Sequence, residues 1–194
     1  MTGSSQNPIL APGVARGRRA FLAPVWLTLL GMVVFGAMAL NIWRGQAMTT
    51  VIVLRHAEKQ LGAIADAPLS PEGAARAESL VRLFGSTRSA GTIEAIYVSD
   101  TRRARDTAAP LAQLLGLTPI VRDAKDAAAL AHEILEQQRG RVVMVVGHSN
   151  TAPALIAELT QGRVQVAIGD NDYGQAWIVS RPSFGPAGLA QLRF

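Results

Sequence analysis

From residue 51 onward the chain alternates short apolar runs with segments of helical period, and this pattern limits its possible folds more than any other feature. VIVL (Val51 to Leu54), AIYV (Ala95 to Val98) and VVMVV (Val142 to Val146) read as buried strands, and AWIV (Ala176 to Val179) and LAQLRF close the series. Ser70 and Pro71 form an N-cap and first-turn pair, after which Ala77, Leu80, Val81 and Phe84 recur on one helical face. Further helices are predicted over about residues 101–115, with Ala104, Ala108, Leu111 and Leu115 on one side, over about 127–138, and from Thr151 onward. Strands alternating with helices of this length predict an α/β domain, a three-layer αβα sandwich whose mostly parallel sheet is buried on both faces. No internal repeat interrupts the pattern.

The 194 residues suffice for one ordinary domain and an appendage. The N-terminal segment accounts for two departures from an average globular composition. Four of the five net positive charges lie in residues 1–50, as Arg16, Arg18, Arg19 and Arg44 without a single acid. No basic stripe with interleaved aromatics follows, which argues against a nucleic-acid partner. The apolar surplus is there too: Phe21 to Trp43 is an uncharged run of 23 residues, long enough as a helix to cross a hydrocarbon core of about 30 Å. Trp26 and Trp43 stand near its ends, and three arginines precede it against Arg44 after it. The expected organisation is a basic cytoplasmic tail over 1–20, a transmembrane helix or signal anchor over 21–43, a linker over 44–50 and the α/β domain over 51–194 outside the cytoplasm. A cleaved export signal is the alternative, with small residues at Ala37 and Ala39 or at Gly45 and Ala47, and Arg18 and Arg19 before the apolar run also fit a twin-arginine signal. The absence of cysteine excludes a disulfide framework and thiolate metal sites and leaves the redox compartment open.

In a parallel sheet the ligand crevice lies at the carboxyl ends of the strands. Three predicted strands end there in chemically similar ways. Val51 to Leu54 runs into Arg55 and His56, Ala95 to Val98 runs into Ser99 and a first helical turn carrying Arg102, Arg103 and Arg105, and Val142 to Val146 runs into Gly147 and His148. Cations oppose the dipole at a helix N-terminus unless an anion binds there. Two of the three histidines and an arginine cluster therefore converge on one end of the sheet. His132, within AALAHEILEQ, has no such company and reads as structural or surface.

These segments resemble the histidine phosphatase superfamily, the phosphoglycerate mutase-like fold. Arg55, His56 and Ala57 stand where that family carries Arg-His-Gly, with alanine in place of glycine; LSPEGAARA, SDTRRARDTA and VVGHSNT follow in the family's order. The RHAEK form and the tail DNDYGQAWIV resemble a short bacterial branch. The resemblance implies that His56 is a nucleophile which becomes phosphohistidine and is then hydrolysed, with Arg55, Arg103, His148 and Ser149 around the phosphoryl group. Arginine suits this task because its planar fork binds phosphate bidentately and keeps its charge. Neighbouring guanidinium groups also hold the imidazole neutral, as a nucleophile requires. No cofactor or divalent metal is called for, since the arginines would repel a cation.

The proton donor for the leaving group is open. In longer family members it lies after the second arginine, where this chain offers Asp123 and Asp126, both of which also fit helix-capping roles; Glu58 is a third candidate. The expected activity is hydrolysis of a small, lipid-linked or protein-borne phosphomonoester in an open site. A protein phosphohistidine phosphatase is the alternative enzyme, which a start at Met48 would place in the cytoplasm, and an inactive phosphate-binding module is the alternative of a different class.

Overall fold

The computed structural model describes residues 23–45, 47–62, 66–85, 91–123 and 125–194. The chain divides into two units, one up to Ile42 and one from Trp43 onward. The first contains most of α1 (Ala23–Gly45), a helix with no acidic residue in its first turn. Its described side chains, over residues 25–40, are exposed, with Trp26 at 75% and Phe35 at 73%. That stretch is about 24 Å long at the α-helical rise. Among the described residues no helix is long and apolar enough to cross a membrane. The expected tail over 1–20, and the ends of the expected span over 21–43, lie outside the described residues and side chains.

The second unit is an α/β sandwich. Its strands are β1 (Met48–Arg55), β2 (Ile93–Val98), β3 (Ile120–Val121), β4 (Val142–Gly147), β5 (Gln175–Pro182) and β6 (Gly188–Arg193), arranged β3-β2-β4-β1-β5-β6. The first four in that order pair in parallel, whereas β5 is antiparallel to both β1 and β6. The sheet is thus mixed, which corrects the mostly parallel expectation at one edge. The consequence is directional: Leu54 pairs with Ala176, so the residues just before β5 sit at the same end of the sheet as those just after β1.

Both faces are covered, and β1 shows why its sequence is apolar without alternation. Val51 and Val53 join a core with Leu130, Ala131 and Ile134 of α4 (Ala127–Gln137) and Ala152, Leu155, Ile156 and Leu159 of α5 (Thr151–Leu159). Ile52 and Leu54 point the other way, against Leu80 and Phe84 of α2 (Pro71–Phe84) and Ala104, Ala108 and Leu111 of α3 (Arg102–Leu115). Successive strand residues alternate faces, so a strand between two helical layers needs an apolar residue at every position.

Local chemistry sets the helix starts that frame the site. Ser70 caps α2, its Oγ accepting from the Gly73 amide at 3.1 Å, with Pro71 in the first turn. A side chain at Gly73 would place Cβ 2.1 Å from the Glu58 carbonyl oxygen, so glycine is what lets this helix lie directly against the turn that follows His56. The start of α3 is capped from a distance instead. Thr101 makes no side-chain cap bond, and the Arg102 amide donates to Asp66 Oδ1 at 2.6 Å.

Candidate active site

Arg55 ends β1, His56 and Lys59 follow it, Arg103 lies in the first turn of α3, and His148 and Ser149 follow β4. Together with Asn150 and Asp170 they line one open cleft of about 330 Å³ at the carboxyl end of β1 and β4. Five residues expected from the sequence to meet at a phosphoryl group, Arg55, His56, Arg103, His148 and Ser149, are therefore brought together.

The His56 ring is buried, at 4% exposure, and its tautomer follows from its partners. A carbonyl oxygen can only accept, so the Nδ1 atom 2.7 Å from the Ala57 oxygen carries the proton. A guanidinium can only donate, so Nε2, 3.0 Å from Arg103 Nε, presents its lone pair. Burial is the main force lowering the pKa of His56, from 6.5 to about 4, with Arg103, His148 and Arg55 adding to the fall against the opposing Ala57 carbonyl. His148 stands edge-on to His56 at 5.2 Å between ring centroids. Its pKa is also lowered, chiefly by burial and then by Arg103 and Arg55, against an opposing pull from Asp100. Both rings are thus biased toward the neutral form.

A titration follows from this. A ¹⁵N-imidazole NMR titration should place the His56 midpoint near pH 4, well below an ordinary histidine. Because the folded value lies below the unfolded 6.5, the unfolded chain binds the extra proton, and the stability contribution is complete above pH 6.5 and falls as the pH drops toward 4. A midpoint near 6.5 would show that the ring is not desolvated as described.

The arginine cluster of α3 divides by helical position. Arg102 faces Asp106 at 3.4 Å and Arg105 faces Asp66 at 3.8 Å, both on the exposed side, whereas Arg103 turns inward to His56. Thr107, one turn further on and buried, accepts from the Ala57 amide at 2.9 Å and donates to the Arg103 carbonyl at 2.7 Å. It ties the backbone after the histidine to the helix that carries the arginine. Nothing in the local sequence marked it, although its position four residues after Arg103 on a buried face was available as a signal.

Arg55 is held by the segment before β5. Its Nη1 donates to the Gly169 carbonyl at 2.8 Å, its Nη2 to the Tyr173 hydroxyl at 3.2 Å, and its guanidinium carbon lies 4.2 Å from the centre of the Tyr173 ring. Its Nε is buried with no hydrogen-bond partner among the described residues. Ser149 Oγ donates to Asp170 Oδ1 at 3.2 Å. Sequence reasoning assigned no role to Asp170 or Tyr173. The signal would have been the direction of β5, which returns its leading residues to the His56 end.

The structure does not bring the expected proton donors to the cleft. Asp126 is the N-cap of α4, its Oδ1 accepting from the Ala129 amide at 2.9 Å, and Asp123 Oδ1 accepts from the Lys125 amide at 2.9 Å. Neither is among the residues lining the cleft. Glu58 turns away from it into a two-pronged ion pair with Arg76, with Arg76 Nε 2.9 Å from both carboxylate oxygens. That hydrogen bond lowers the Glu58 pKa against burial, the largest single influence, which raises it.

The αβα sandwich thus assembles a neutral, desolvated histidine, a second histidine and two arginines at its strand ends, a donor set whose chemistry suits an anion. The sequence matches the family model of the histidine phosphatase superfamily (branch 1) over residues 51–126. No curated protein matches it. Among solved structures, the protein histidine phosphatase SixA complexed with tungstate shares 20% identity, with 74% of this chain and 96% of that one covered and a TM-score of 0.61. A mycobacterial glucosyl-3-phosphoglycerate phosphatase shares 19% identity over 69% of this chain and 90% of its own, with a TM-score of 0.55. A mycobacterial hydrolase shares 20% over 73% and 96%, with a TM-score of 0.56. At these identities the likeness establishes the fold.

Proposed function

We propose that the protein is a phosphatase that hydrolyses a phosphomonoester through a phosphohistidine formed on His56. The observation that carries this reading is the pair of contacts on the His56 ring, which leave Nε2 as an unprotonated base held by Arg103. Nε2 attacks phosphorus while the bond to the leaving oxygen breaks and that oxygen takes up a proton. Water then attacks the phosphohistidine, the phosphorus–nitrogen bond breaks, and phosphate departs. A phosphoryl group in transfer spreads negative charge over its equatorial oxygens, and positioned cations do most of the catalytic work. Arg103 hands its donor from Nε2 to a phosphoryl oxygen as substrate enters, and Arg55 and His148 flank it. Ser149 joins them through its backbone amide, its hydroxyl staying on Asp170. The superfamily match and the phosphatases among the structural neighbours support hydrolase chemistry in general.

Acid-quench labelling with a ³²P-phosphoryl donor tests the reading. The expected result is an adduct on His56 that is lost in acid and stable in base; label on another residue, or none, would overturn it.

A second reading, a protein phosphohistidine phosphatase, is favoured by one observation. Asp123 and Asp126, the acids expected as proton donors, do not line the cleft, and an imidazole leaving group needs less help from such an acid. Screening the domain from Met48 onward against phosphomonoesters and a phosphohistidine protein distinguishes the two.

The location proposed is the cell membrane, with the N-terminus in the cytoplasm and the domain outside, supported by the uncharged run of Phe21 to Trp43 and the three arginines before it. A reporter active only outside the cytoplasm, fused after Phe194, should give signal, and a soluble cytoplasmic readout would exclude the assignment.

A further inference from the structure

The proposed reaction needs a proton at the leaving oxygen, and Asp123, Asp126 and Glu58 are all engaged elsewhere. The cleft itself supplies a different candidate. Of the described residues that line it, Asp170 alone carries a carboxylate. A larger, adjoining groove of about 770 Å³ runs from the cleft past Gln60, Ser70 and Glu72, and the residues shared by the two are Arg55, Lys59 and Asp170. A phosphoryl group seated against His56 would leave the rest of its substrate in that groove. The bond to be broken would then lie at the junction, beside these three side chains.

Asp170 is also held in place. Its Oδ1 accepts from Ser149 Oγ at 3.2 Å, which leaves Oδ2 to carry a proton. Its neighbours are pinned on both sides: Arg55 binds the Gly169 carbonyl and the Tyr173 hydroxyl, and the turn closes on itself through Gly169 N to Asp172 Oδ2 and Asp172 N to Gly169 O, each 3.0 Å. Asp170 is thus a carboxylate on a braced turn at the rim of the cleft, the kind of rigid support a general acid needs.

We propose that Asp170 is the general acid and base of the phosphatase: it protonates the leaving oxygen as the phosphorus–oxygen bond breaks, and then takes a proton from the water that attacks phosphohistidine. One proton leaves the carboxyl in the first half and returns in the second, so the cycle closes. The assignment rests on the phosphohistidine reading above.

Single-turnover phosphoryl transfer to His56 by wild type, Asp170→Asn, Asp170→Ser and Lys59→Met tests it, with an alkyl phosphate and a nitrophenyl phosphate as the two substrates. Both Asp170 variants should lose about 10²- to 10⁴-fold with the alkyl ester, whose leaving group needs the proton, and only a few-fold with the nitrophenyl ester. Equal losses with the two esters would reduce Asp170 to a structural brace and overturn the proposal. So would unchanged rates, or a leaving-group-dependent loss found in Lys59→Met alone, and any of these leaves the His56 reading standing. Failure of the wild type to form a phosphoenzyme with the nitrophenyl ester would instead overturn the His56 reading, and this assignment with it.

Discussion

Replacing His56 with alanine is expected to lower turnover by about 10⁴- to 10⁶-fold, the loss typical when a covalent nucleophile is removed, and to abolish the acid-labile adduct. The domain should still fold. His56 follows the end of β1 and lines an open cleft, so the core residues Val51 to Leu54 keep their partners on both faces. Alanine deletes the proton on Nδ1 and the lone pair on Nε2 together, and no other described histidine makes both contacts: His148 stands edge-on to the His56 ring and His132 lies on α4 beside Glu136. Stopped-flow phosphate release and circular dichroism read the two effects separately. A variant with wild-type turnover would show that another residue carries the phosphoryl group.

Arg103→Lys is the second large effect. The ammonium keeps the charge and loses the fork, so the donor that meets His56 Nε2 can no longer act together with a second donor on the same phosphoryl group. The expected loss is about 2 to 4 kcal/mol of transition-state stabilisation, roughly 30- to 1,000-fold in kcat/KM. Arg102→Lys should change little, because Arg102 is exposed and pairs with Asp106 one turn along its own helix. Comparable losses at the two positions would mean that charge alone, and not the placement of Arg103, matters to the reaction.

The helices and strands of the sandwich were legible where local chemistry decides them. Ser70 and Pro71 announce α2 because capping uses atoms only three residues apart. The apolar run of β1 announces a buried strand because helices cover both faces. The two-residue β3 was not legible: Ile120 and Val121 are too few to show a period. Asp123 and Asp126 were expected as proton donors by their order in the chain, but Asp126 caps a free amide of α4 and Asp123 accepts from the Lys125 amide in the turn before it, since a carboxylate satisfies nearby backbone amides first.

By itself the sequence determined that strands would end in Arg55, His56 and His148 beside a helix opening with arginines, since strand ends and helix starts are properties of neighbouring residues. Only the tertiary structure decided which arginine serves the site, because Arg102, Arg103 and Arg105 share one turn and the packing of that helix against His56 selects the face that carries Arg103. The tautomer of His56 was likewise decided by contacts 1 and 47 residues away in sequence. The same holds for Asp170 and Tyr173: they reach the cleft because β5 runs against β1, and strand direction depends on pairing across the sheet rather than on any residue within the strand.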